Sequence, residues 1–100
     1  MALQLFLLGY LIMGFLLGNG VPHFVFGAAG KVFRSPFGQR SSPGTNVAWG
    51  ASNFVAATII AAGLVALGLY SEYSLAALLL GFWLTMLMFG TGIKRFLNEA

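Results

Sequence analysis

VAWGASNFVAATIIAAGLVALGL (residues 47–69) and LAALLLGFWLTMLMF (residues 75–89) contain no Asp, Glu, Lys or Arg. Hydrophobic residues make up 59% of the 100-residue chain, and charged residues make up only 7%. Soluble domains carry about 25% charged residues, and a chain of this length cannot bury two such long apolar stretches in water. The sequence therefore predicts a single-domain, all-α membrane protein whose solvent is lipid.

Three transmembrane helices are expected, at about residues 2–18, 46–70 and 73–93. No Lys or Arg precedes the first apolar stretch, so we expect a retained helix rather than a cleaved signal peptide. Asn19 and Gly20 are expected to end this helix, because both tolerate the left-handed conformation of a helix C-cap. Small residues on more than one side of the second span indicate that it is the central helix.

The connection between the first two spans is expected to hold a short fourth helix and a loop. Residues 22–33 start with Pro22, which suits the first turn of a helix. Their apolar side chains gather on one side, which predicts a helix lying in the membrane interface or re-entering the membrane. Residues 34–44 are rich in Pro, Gly and Ser, which is typical of a loop. Ser42 is expected to cap the second span, with Pro43 in its first position.

The basic residues indicate how the chain is oriented in the membrane. Three spans place all of them on one side and Glu72 on the other, so the positive-inside rule predicts an N-terminus outside and a cytoplasmic C-terminus. The same residues are candidate contacts for anionic lipid headgroups. They are Lys31, Arg34, Arg40, Lys94 and Arg95.

Four polar residues are candidates for a functional site. Asn46, Trp49 and Asn53 share one face of the second span, either as interhelical contacts or as the lining of a substrate or ion path. His23 is the single histidine, and it is either an interfacial hydrogen-bonding group or the ligand of a pigment or haem in a larger assembly. With no Cys in the chain and no carboxylate in a span, we expect no enzymatic activity, no metal site and no resident cofactor.

Several segments carry a resemblance to known proteins: residues 19–25 (NGVPHFV), 34–37 (RSPF), 41–43 (SSP), 46–50 (NVAWG) and 53–54 (NF). They resemble a group of small uncharacterised bacterial integral membrane proteins of similar length. The likeness covers the end of the first helix, the connection and the start of the second helix. It implies a multi-pass protein of the bacterial inner membrane and carries no known activity.

The expected function is non-catalytic, because the spans offer small-residue packing surfaces without an ionisable group inside the membrane. We expect an accessory or assembly subunit of a membrane complex, or a homo-oligomer. The expected partners are the lipid bilayer, other membrane subunits or copies of the chain, and not nucleic acid. A small homo-oligomeric channel or transporter is the first alternative, and a subunit that holds a pigment or haem through His23 is the second.

Overall fold

The computed structural model describes residues 4–97. It contains three helices, α1 (Phe6–Ala28), α2 (Pro43–Ala66) and α3 (Ser74–Leu97), with strands β1 (Phe33–Ser35) and β2 (Gly38–Ser41) between α1 and α2. All three helices are long and apolar enough to cross a membrane. Each is roughly 35 Å long by the helical rise, which exceeds a typical hydrocarbon core of about 30 Å. The prediction of a helical protein with three candidate spans is confirmed.

The fourth helix predicted over residues 22–33 is absent from the described part of the chain, and that prediction is wrong. α1 instead continues through Asn19, Gly20 and Pro22. Gly20 serves close packing rather than termination, since a Cβ there would lie 2.6 Å from Cε1 of Phe54 on α2. Pro22 cannot donate a backbone hydrogen bond, but a helix packed among neighbours tolerates this loss.

Two other glycines mark the ends of α1 and α2. The φ angle is 79° at Gly30 and 70° at Gly68, a left-handed conformation that residues with a Cβ rarely adopt. The residue after each glycine donates its N–H back over the last helical turn, at 2.9 Å for Lys31 and 2.8 Å for Leu69. These bonds satisfy carbonyl groups that a helix end leaves unpaired. The second span therefore ends at Ala66 rather than near residue 70.

The segment predicted as a loop forms an antiparallel hairpin. Phe33 pairs with Ser41, and Ser35 pairs with Gly38. The chain then enters α2 as expected, because the Ser42 side chain accepts a hydrogen bond from the backbone N–H of residue 45 at 3.1 Å and proline occupies the first turn. Composition indicated a turn here, but strand pairing depends on contacts with the helices.

α1, not α2, is the central helix. α1 packs closely against both α2 and α3, whereas α2 and α3 scarcely approach each other. A Cβ added at Gly14 or Gly81 would collide with a backbone carbonyl across the α1–α3 contact, and one added at Gly50 would lie 2.8 Å from an α1 carbonyl oxygen. In lipid, helices associate where small residues let their backbones approach. Several small residues of α2, including Ala62 and Ala66, are exposed, so the prediction that α2 is central is wrong.

The five basic residues lie at one end of the molecule, which we call the cationic end. Three belong to the connection that contains the hairpin, and two lie in the last turn of α3. The two regions are in contact, with Cζ of Arg34 at 6.0 Å from the ring centroid of Phe96. Glu72 lies in the α2–α3 link at the opposite end, where Oη of Tyr10 donates to the carbonyl oxygen of Leu69 at 2.9 Å.

Candidate functional site

A buried hydrogen bond joins His23 on α1 to Asn46 on α2, with Nδ1 and Oδ1 2.7 Å apart. The two side chains are only 2% and 0% exposed. Asn46 Nδ2 donates to the carbonyl oxygens of Phe33 at 2.8 Å, Ser42 at 3.1 Å and Ser41 at 3.3 Å. Because a carbonyl oxygen only accepts, the amide nitrogen of Asn46 must face the three carbonyl groups, and Oδ1 must face the histidine. His23 Nδ1 is therefore the donor.

Aromatic rings surround this pair and hold the hairpin against the helices. The His23 ring meets Phe33 and Phe89 edge-on, with centroids 5.1 and 5.8 Å apart. Phe33 is fully buried and stacks on Phe26 at 5.2 Å and on Phe96 at 5.3 Å. The cluster thus joins α1, α3 and β1. Since Asn46 occupies Nδ1, Nε2 is the histidine nitrogen that remains for a ligand.

A second amide pair links α1 and α2 deeper in the bundle. Asn19 Nδ2 donates to Asn53 Oδ1 at 3.1 Å, and Asn53 Nδ2 donates to the carbonyl oxygen of Trp49 at 2.8 Å. Asn53 is 4% exposed. The structure therefore places Asn53 in an interhelical contact, one of the two roles considered from the sequence. The sequence alone indicates Asn19 only as part of a helix stop, although its spacing of four residues from His23 puts both on one face of a continuous helix.

Trp49 carries a buried donor without a partner. Among residues 4–97, its Nε1 is the buried side-chain nitrogen or oxygen that lacks a hydrogen-bond partner. Leaving such a donor unpaired costs about 1–3 kcal/mol.

An open cleft of about 730 Å³ lies at the cationic end. α1 contributes Asn19 and His23, α2 contributes Trp49, and α3 and the hairpin complete the walls. Two of the five basic residues, Arg34 and Arg95, line this cleft. Lys31, Arg40 and Lys94 do not, and all three side chains are exposed. The basic residues, which are a single group in the sequence prediction, are thus divided by the fold: two line the cleft and three lie outside it.

Among residues 4–97, the charged side chains that line the cleft are both cationic. The chain has two carboxylate side chains, and Glu72, the one that the structure describes, is at the opposite end of the molecule. Within residues 4–97 no three His, Cys, Asp or Glu side chains form a group that could hold a metal ion. Guanidinium groups present paired N–H donors that match phosphate and carboxylate oxygens. The arrangement therefore suits an anion that supplies acceptor oxygens.

No protein-family model matches the chain, and no curated protein or solved structure is significantly similar to it. The fold and the cleft define the class as an α-helical protein with three candidate membrane spans and a cationic cleft at one end. The resemblance to small bacterial membrane proteins stays an expectation. Function is accordingly inferred from the cleft.

Proposed function

We propose that this protein is a non-catalytic integral membrane protein that binds an anionic lipid in the cationic cleft. One observation carries the proposal: Arg34, Arg95 and Trp49, whose indole N–H has no partner, line a single cleft. All three are donors, and a lipid phosphodiester offers only acceptor oxygens. The proposal also gives the basic residues a partner, the anionic headgroup, that the membrane itself supplies.

The position of the cleft suits a lipid rather than a fully dissolved ion. It lies near the cationic end of the three candidate spans, and the proposal puts this end where headgroups meet the hydrocarbon core. Its walls include α2 and α3, which scarcely approach each other, so an acyl chain has room to leave between them. Met88 lines the cleft and is 57% exposed, which offers that chain an apolar surface.

Removing both cleft arginines tests the proposal. We expect Arg34→Gln with Arg95→Gln to weaken binding of phosphatidylglycerol about 150-fold, since each of the two charge-assisted hydrogen bonds to phosphate contributes about 1.5 kcal/mol. Binding is measured by native mass spectrometry of the purified full chain in neutral detergent, titrated with the lipid.

The matched control is Lys31→Gln with Arg40→Gln, which removes the same charge from the same end without touching the cleft. We expect this variant to lose no more than about fivefold, through weaker general attraction. Equal losses in the two double variants would mean that net charge, and not the cleft, attracts the lipid.

We also propose a bacterial plasma membrane as the location, with the cationic end in the cytoplasm. All five basic residues at one end support this orientation through the positive-inside rule. Reporter fusions before α1 and after α3 are expected to report from opposite compartments, the second from the cytoplasm. Two fusions reporting from the same compartment would contradict a three-span topology.

The other roles predicted from the sequence can be tested on the same purified protein. An accessory subunit or homo-oligomer is expected to appear as a larger mass in gentle detergent. A channel or transporter is expected to give flux in liposomes that Asn53→Leu alters. A pigment or haem held by His23 is expected to give a visible absorption band that His23→Ala abolishes.

A further inference from the structure

The residues that line the cleft include both donors and acceptors of hydrogen bonds. Arg34 and Arg95 bring N–H donors to the cleft, whereas His23 offers Nε2 as an acceptor, because its Nδ1–H is donated to Asn46. The neutral imidazole with its proton on Nδ1 accepts at Nε2. No hydrogen-bond partner for Nε2 occurs within the part of the chain that the structure describes, and unlike Trp49 Nε1 this nitrogen is not a buried atom.

The histidine is held so that it cannot exchange roles between its nitrogens. Turning the ring over would give up the 2.7 Å contact with Asn46, whose amide is in turn oriented by three backbone carbonyls. Phe33 and Phe89 pack edge-on against the ring, and His23 is only 2% exposed. Nε2 is therefore a positioned acceptor rather than a freely rotating surface group.

A phosphodiester satisfies the donors of the cleft but leaves Nε2 without a hydrogen, because it has none to give. A headgroup ammonium would supply a donor, but two arginines and the lack of a described carboxylate disfavour a cation there. A hydroxyl supplies the donor without charge. We infer that the ligand of the cleft is an anionic lipid whose headgroup carries a hydroxyl, as in the phosphoglycerol class, and that this hydroxyl donates to His23 Nε2. This inference rests on the proposed function.

Two lipids of equal charge and headgroup length separate the hydroxyl from the phosphate. Phosphatidylglycerol and phosphatidylpropanol, with identical short acyl chains, both carry one negative charge and a three-carbon headgroup, but only the first has hydroxyls. The purified full chain in neutral detergent is titrated with each lipid. We expect the wild type to bind phosphatidylglycerol about tenfold more tightly, the effect of one satisfied hydrogen bond.

The variant His23→Phe keeps an aromatic ring and removes the acceptor. We expect it to bind both lipids equally, near the wild-type affinity for phosphatidylpropanol, while Lys31→Gln with Arg40→Gln keeps the tenfold preference. Helical circular dichroism checks that His23→Phe is folded. If it is not, the wild-type comparison of the two lipids decides the question by itself.

Each outcome separates this inference from the proposed function. Equal wild-type affinities for the two lipids would overturn the hydroxyl preference and leave anionic-lipid binding intact. A preference that persists in folded His23→Phe would assign it to another group and overturn the role of His23. Failure to bind either lipid would overturn both proposals. Equally tight binding of soluble glycerophosphoglycerol would show that the site takes a free anion, which overturns the lipid as ligand.

Discussion

Gly81→Ala is expected to lower the free energy of unfolding by about 3 kcal/mol, a large effect for one methyl group. A Cβ at this position would collide with the carbonyl oxygen of Leu11 and lie 3.0 Å from the backbone nitrogen of Phe15, both on α1. Backbone atoms cannot rotate away as a flexible side chain can. The α1–α3 contact must therefore open along its length, which loses dispersion contacts and weak Cα–H···O bonds.

Gly90→Ala is the matched control on the same helix. Nothing lies within 4 Å of a Cβ built at Gly90, so this variant is expected to be neutral or slightly more stable. Stability is measured by SDS titration in mixed micelles with tryptophan fluorescence as the signal. If Gly81→Ala and Gly90→Ala unfold at the same SDS concentration, the helices do not approach as closely as described.

Asn46→Leu is expected to lower the free energy of unfolding by about 3 kcal/mol, because it leaves several buried polar groups unpaired. The substitution removes the acceptor for the Nδ1–H of His23 and the amide that donates to the carbonyl oxygen of Phe33. His23 and Phe33 are both almost fully buried. The leucine is close to asparagine in size, so the loss arises chiefly from hydrogen bonding. The hairpin is expected to detach from the helices before the spans unfold.

Asn53→Leu is the comparison variant, since it changes the same residue type, also buried on α2, to the same side chain. Asn53 bonds one side chain on α1 and one carbonyl of its own helix. Interhelical hydrogen bonds in membranes contribute about 0.6 kcal/mol on average, so its effect is expected to be much smaller. SDS titration measures both variants, and trypsin cleavage at Arg34 and Arg40 reports release of the hairpin. Similar losses for both would argue against Asn46 as the anchor of the hairpin.

The candidate site was visible in the sequence as separate residues, but its geometry was not. Asn46, Trp49, Asn53 and His23 stood out because polar side chains are rare in apolar helices. Their pairing depends on α1 continuing past Gly20 so that Asn19 and His23 face α2. Local sequence does not reveal this. Likewise, only the fold of the hairpin distinguishes Arg34, which lines the cleft, from Arg40, which does not.

Hydropathy and charge along the sequence determined that three long helices form and that the basic residues gather at one end. Both follow from the free energy of moving each residue between water and lipid, which is a property of the residue itself. The start of α2 at Ser42-Pro43 was also readable, since a helix cap is a contact within one turn. The tertiary structure decided the central position of α1, the hairpin and the cleft. Glycine ends a helix when its φ turns positive, as at Gly30, and brings two helices together when it stays helical, as at Gly20. The residue is the same in both cases, and the tertiary structure selects between them: Gly20 packs closely against α2, whereas nothing lies within 4 Å of a Cβ built at Gly30.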